Sequence, residues 1–173
     1  MQDNTQETTF LQLVKEHQKM IHKVCNLYGH TPHEREDLFQ EIVVQLWKGY
    51  SRFRGEAKFS TWLYRVALNT AISGLRKKEK NIAYVDPSIL PATFHDFNDN
   101  NPDQEQLQQL YEAIRKLGEI DRAIVMLYLE DRSYEEMEEI LGMSQGNLRV
   151  KMNRIKEKLR QLTKIIDHGT GRP

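Results

Sequence analysis

Ser133 to Leu159 reads SYEEMEEILGMSQGNLRVKMNRIKEKL, and the spacing within it decides the fold class. Met137, Ile140 and Leu141 share one side of a short helix from Tyr134 to Leu141. Gly142 supplies a sharp turn, and Ser144 is a good N-cap for a second helix from Gln145 to Leu162. On that helix Leu148, Met152, Ile155, Leu159 and Leu162 form an apolar stripe. At ~100° per residue, the opposite face holds Gly146, Val150, Asn153, Arg154 and Glu157. Arg149 and Lys156 flank it on one side, and Asn147, Lys151 and Lys158 on the other. This is the pattern of a helix-turn-helix.

A helix that enters a major groove needs small or hydrogen-bonding side chains toward the base edges and cations at its rims for phosphates. Val150, Asn153 and Arg154 are accordingly the candidate base readers, with Arg149, Lys151 and Lys156 as candidate phosphate contacts. The first helix carries Glu135, Glu136, Glu138 and Glu139 and should point away from the phosphates. A helical hairpin with a basic solvated face is the plainer explanation of the same residues.

Outward from this segment, Gly and Pro are scarce inside the other apolar patterns, whose residues recur at three and four positions, so the whole chain reads as helical. Phe10, Leu13, Val14, Ile21, Val24 and Leu27 define a first amphipathic helix, broken at Gly29 to Pro32. A second helix runs from about Pro32 or His33 to Trp47, a loop spans Gly49 to Gly55, and a third helix extends from near Ser60 to Lys80. Residues 81–104 hold Pro87, Pro91, Pro102 and the run DFNDNNPD from Asp96 to Asp103, which reads as a flexible acidic linker. Helices at Leu107–Leu117 and Asp121–Leu129 then precede the helix-turn-helix, and the final HGTGRP reads as frayed. The expected organisation is two small helical domains, 1–80 and 105–173, with the linker 81–104 between them.

The third helix belongs to the stretch FRGEAKFSTWLYRVALNTAISGLRKKEK, Phe53 to Lys80. Phe59, Leu63, Val66, Ala67, Thr70 and Gly74 share the face expected to pack inward, and Trp62, Arg65, Asn69, Ile72 and Arg76 the face expected to stay open. Aromatic rings interleaved with cations suit single-stranded DNA, because rings stack on unpaired bases while cations follow the backbone. Asn69 can bond the edge of an extruded base, and the loop bearing Phe53, Gly55 and Lys58 can form a pocket for it. Packing into a core is the plainer role for these rings.

Net charge is zero, yet the charges are segregated. Residues 48–80 carry nine basic and two acidic side chains, and 146–173 carry eight and two. Between them, residues 81–112 carry six acidic and none basic. Two separated cationic blocks imply two contacts with a polyanion. Charged residues make up 29% of the chain, mean hydropathy is −0.69, and no apolar run approaches the ~18 residues of a membrane span. The opening MQDNTQETTF has neither the basic nor the apolar part of a signal peptide, so the expected location is cytoplasmic, with no membrane insertion. The lone Cys25 lies in an apolar helical pattern and is expected to pack. His30 and His33 stand at a spacing possible for metal, but no further Cys or paired His supports a site. There is no Gly-rich phosphate loop, matched nucleophile and base, or paired-carboxylate motif, so neither cofactor nor catalysis is expected.

Taken in order, three blocks resemble the extracytoplasmic-function (ECF) sigma factors of the sigma-70 family, over about residues 10–165. EDLFQEIVVQLW, Glu36 to Trp47, resembles the helix that docks on the β′ clamp helices of RNA polymerase. The stretch from Phe53 to Arg76 resembles the segment that melts and reads the −10 element, and Ser133 to Leu159 the one that reads the −35 element. The resemblance implies a non-catalytic subunit that gives core RNA polymerase (β′ and β subunits) its promoter specificity. It assigns Asp37, Gln40, Glu41 and Trp47 to the polymerase interface, in agreement with the acidic, partly apolar face of that helix. It assigns Phe53, Asn69 and the loop from Gly55 to Ser60 to a pocket for a flipped −10 base, and Arg149, Val150, Asn153 and Arg154 to −35 readout. It implies an anti-sigma factor as a further partner, and a linker that threads past the active-site cleft. This chain has Asn147 where the family often has Thr, and Glu138 where it often has Ala. Two other readings fit parts of the pattern: a stand-alone helix-turn-helix regulator that binds operators as a dimer, and a polymerase-binding regulator that never contacts DNA.

Overall fold

The structure, a computed structural model, describes residues 2–81 and 102–169, with side chains described for 5–80 and 106–163. Its described residues form helices joined by short turns and loops, without strands, and gather into two compact units. Three helices make the first: α1 (Gln2–Tyr28), α2 (Pro32–Tyr50) and α3 (Phe59–Asn81). Four make the second: α4 (Pro102–Arg115), α5 (Glu119–Leu129), α6 (Tyr134–Leu141) and α7 (Gln145–Gly169). The all-α, two-domain class expected from the sequence is the observed one.

Helix ends moved outward more than helix identities changed. α1 begins at Gln2 rather than near Phe10, α2 continues two residues into the expected loop, to Tyr50, and α5 begins at Glu119. α4 begins at Pro102, a residue whose fixed φ and missing N–H suit a first helical position, so residues 102–104 belong to a helix and not to the linker. The rest of the acidic stretch, 82–101, lies outside the described residues. At the other end α7 runs on to Gly169, so His168 and Gly169 of the HGTGRP tail are helical, and 170–173 lie outside.

In the first unit α1, α2 and α3 each pack against the other two. Phe10, Val14, Ile21, Val24, Cys25 and Tyr28 of α1 meet Ile42 and Leu46 of α2 and Leu63, Tyr64, Ala67, Leu68, Ala71 and Ile72 of α3. Burial pushes the Cys25 thiol up to about 12, so it is a packed, protonated side chain and not a nucleophile. α2 is started by a capping box. The Glu34 N–H donates to Thr31 Oγ1 at 3.1 Å, and the Thr31 N–H donates to Glu34 Oε2 at 3.3 Å, with Pro32 following the cap. His30 N–H donates to the same carboxylate at 2.8 Å, and Lys78 of α3 pairs with it at 3.2 Å. Partial burial disfavours the charged form of Glu34, but the two N–H groups and Lys78 outweigh it and hold its carboxyl below the ordinary carboxylate value.

In the second unit α7 packs against α4, α5 and α6. Its Leu148, Met152 and Ile155 meet Ala113 and Ile114 of α4, Ile124 and Leu127 of α5, and Met137 and Ile140 of α6 in one core. Leu117, between α4 and α5, is buried as well.

Candidate nucleic-acid interface

The turn between α6 and α7 is built as its sequence dictates. Ser133 and Glu136 form a second capping box, each bonding the other's backbone N–H at 3.1 Å. At the other end of α6, Gly142 adopts φ 68°, ψ 23°, and its N–H donates to the Glu138 carbonyl at 2.8 Å. That left-handed cap is nearly free for glycine and strained for any other side chain. Ser144 then caps α7, accepting the Asn147 N–H at 3.3 Å. Glu138 accepts a hydrogen bond from the Gln145 side chain at 3.1 Å, so its acidic group is used across the turn.

α7 divides cleanly. Leu148, Met152 and Ile155 are buried, whereas Val150, Asn153 and Arg154 are exposed on the opposite face, Val150 at 50%. No hydrogen bond or ion pair reaches those three side chains from the described residues. An exposed valine among polar residues leaves an apolar contact point beside two hydrogen-bonding groups, a combination that can meet a thymine methyl and its neighbouring bases. The flanking cations, candidate phosphate contacts from the sequence, each have a partner on another helix. Lys151 pairs with Asp121 of α5 at 3.3 Å. Lys156 donates to the Tyr128 hydroxyl at 3.2 Å and sits 4.6 Å from its ring centroid, and Arg149 lies 4.9 Å over the Tyr134 ring. Sequence reasoning missed Asp121, Tyr128 and Tyr134, since only the crossing of α7 with α5 and α6 brings them near.

In the first unit, α3 exposes Arg65, Asn69 and Arg76, and Lys58 precedes it on the surface. Trp62, Asn69 and Arg76 follow one another at intervals of two helical turns, so they share a side of the helix. Trp62 and Phe53 do not form an open stacking platform; both are half-buried. Their centroids are 4.9 Å apart, and Phe59 closes the triangle at 5.7 Å from Phe53 and 5.5 Å from Trp62. Gly49 leaves room for the indole: a Cβ there would meet Trp62 Cζ2 at 3.1 Å. Ile72, expected on the open face, is 6% exposed and belongs to the core. α3 is covered by both α1 and α2, so its buried arc is wider than one stripe and takes in Thr61, Tyr64, Leu68 and Ala71 as well.

The third surface lies on α2. Asp37, Gln40, Glu41, Val44 and Trp47 are all exposed, with Val44 at 44% and Trp47 at 42%. At spacings of three and four they form one strip, acidic at its start and apolar at its end. Trp47 rests 4.9 Å from the Phe10 ring while keeping an open edge, so it packs and remains available at once. His33 approaches Asp37 at 3.4 Å, and among the described residues no three His, Cys, Asp or Glu side chains gather as a metal-holding group.

Comparison with known proteins adds the family. Residues 13–81 match the model of Sigma-70 region 2, and residues 107–159 that of Sigma-70, region 4. The ECF RNA polymerase sigma-E factor of Escherichia coli is 30% identical over 79% of this chain and 78% of its own length. The chain belongs to the ECF sigma factors of the sigma-70 family. Another relative of this sigma factor is the ECF RNA polymerase sigma factor SigW of Bacillus subtilis, 28% identical over 90% of this chain and 89% of its own. Among solved structures, the sigma factor RpoE in complex with the anti-sigma factor NepR from Bartonella quintana shares the fold. Its TM-score is 0.70 at 20% identity, covering 91% of this chain and 98% of that one. In this sigma factor, region 2 spans α1 from Leu13 onward and the whole of α2 and α3, and region 4 runs from α4 into α7.

Proposed function

We propose that this sigma factor reads its promoter with two separate surfaces while core RNA polymerase supplies all of the catalysis. Arg149, Val150, Lys151, Asn153, Arg154 and Lys156 of α7 take the −35 major groove. Val150, Asn153 and Arg154 face the bases, and the three cations face phosphates. Phe53, Lys58, Trp62, Arg65, Asn69 and Arg76 hold the unpaired −10 strand, with Asn69 bonding an extruded base and the cations following the backbone. Because Trp62 and Phe53 pack on each other in the free chain, any stacking by Trp62 uses its exposed edge or follows a shift of the cluster. The strip Asp37, Gln40, Glu41 and Trp47 docks on the β′ clamp helices, and binding energy rather than chemistry favours the melted promoter. The first domain ends with α3 at Asn81 and the second begins with α4 at Pro102, and the acidic stretch 82–101 joins them. We place the protein in the bacterial cytoplasm, held in check by an anti-sigma factor, as the relative from Bartonella quintana is bound to one. No helix among the described residues is long and apolar enough to cross a membrane.

The observation that carries the reading is the division of α7, where a buried stripe fixes the helix and Val150, Asn153 and Arg154, without a partner among the described residues, are turned outward. The test is transcription from a promoter library by purified core polymerase, with and without the chain. Transcripts that depend on the chain and start at a common pair of elements are expected. Tight duplex binding by the chain alone, with no gain in transcription, would instead make it a stand-alone regulator. Failure to associate with core polymerase would leave no basis for the scheme.

A further inference from the structure

The three cations of α7 assigned to phosphates, Arg149, Lys151 and Lys156, are not equivalent. Lys151 is neutralised by Asp121 at 3.3 Å. Arg149 and Lys156, on the other flank, are each held by an aromatic ring: Arg149 over Tyr134, and Lys156 by both the ring and the hydroxyl of Tyr128. A carboxylate cancels the charge it holds, whereas a phenol ring orients a cation and leaves its charge for another anion. Long cationic side chains ordinarily lose rotamer freedom when they grip a phosphate, and a side chain already ordered in the free protein loses less.

We propose that Tyr128 and Tyr134 are positioning residues that aim Lys156 and Arg149 at DNA phosphates, so that α7 grips the backbone mainly along that one flank. Tyr134 begins α6 and Tyr128 sits in the last turn of α5, so two different helices of the unit support the same flank. The Lys151–Asp121 pair, on the opposite side, ties α7 to α5 and adds little net charge to the interface. The proposal rests on the −35 reading of α7.

The experiment uses the full chain with core polymerase and a duplex enriched by that wild-type complex from a random-sequence pool. Tyr134→Leu and Tyr128→Leu are each expected to weaken binding roughly two- to five-fold. Tyr134→Phe should restore wild-type binding, and Tyr128→Phe should restore part of it, because the ring returns without the hydroxyl. The decisive readout is a double-mutant cycle. In an Arg149→Gln background Tyr134→Leu should have no further effect, and in a Lys156→Gln background neither should Tyr128→Leu. A tyrosine penalty that persists without its cation would assign the rings a merely structural role and overturn the proposal, as would no penalty at all. If no duplex is enriched, the −35 reading itself fails and this inference goes with it.

Discussion

α3 and α7 are both long cationic helices, yet they solve the problem of exposing a functional face in different ways. α7 buries a single stripe through Leu148, Met152 and Ile155, so its opposite side is free by geometry. α3 runs against both α1 and α2, buries Thr61, Leu63, Tyr64, Ala67, Leu68, Ala71 and Ile72, and keeps only a narrow polar edge. The aromatic residues beside that edge pack on one another, with Phe53, Phe59 and Trp62 all within 5.7 Å centroid to centroid. A helix with a single covered stripe presents a ready surface, whereas a helix embedded between two neighbours presents an edge supported by a packed cluster.

The largest expected effect tests how far α3 is embedded. Ile72→Ala should cost about 2–5 kcal/mol of stability in the first unit, the usual range for truncating a buried isoleucine. Were Ile72 on an open face, the change would stay within about 0.5 kcal/mol. Urea unfolding followed by circular dichroism separates the two outcomes. This is also where sequence reading reached its limit. The spacing of the apolar residues located α6 and the start of α7 to the residue, because Gly142, the Ser144 cap and one apolar stripe are local signals. The same spacing misplaced Ile72, since the number of helices that cover a face is set by tertiary packing. The exposed positions of Asp37, Gln40, Glu41, Asn69, Asn153 and Arg154 were legible, because a polar side chain opposite an apolar stripe has one stable place to go. The partners of Lys151, Lys156 and Arg149 were not, because they lie on other helices, two of them more than 25 residues away.

Substitutions on the two outer edges sharpen the contrast from the functional side. Arg154→Ala should lower −35 duplex affinity by about 1–3 kcal/mol and relax the preferred sequence, with the unfolding mid-point unchanged. Asn69→Ala should leave duplex binding intact and reduce open-complex formation, read by permanganate footprinting of the melted strand. Loss of duplex affinity in the Asn69 variant, or preserved transcription in both, would remove the division of labour between α3 and α7. A smaller effect follows from the turn that sets α7: Gly142→Ala must hold an alanine at φ 68°, at about 1 kcal/mol, and should shift the second unit's unfolding without touching the first.

The smallest effect separates the two capping boxes. Glu136 pairs with Arg132 within its own turn, at 3.4 Å, whereas Glu34 reaches Lys78 on a different helix, 44 residues away. Glutamine keeps a side-chain acceptor for the cap but removes the charge, so Glu34→Gln isolates the electrostatic part, about 0.5 kcal/mol for a partly exposed pair at a helix start. Its sign with pH follows from the lowered carboxyl. The fold holds the ionised form, so the unfolded chain binds the proton more readily. The contribution is therefore complete above the unfolded value of about 4.3 and fades as pH falls through the lower folded value. Wild type and Glu34→Gln should differ in unfolding mid-point at pH 7 and converge in acid. A gap that stays constant through that window would mean that the ion pair to Lys78 contributes nothing and that the cap alone anchors α2.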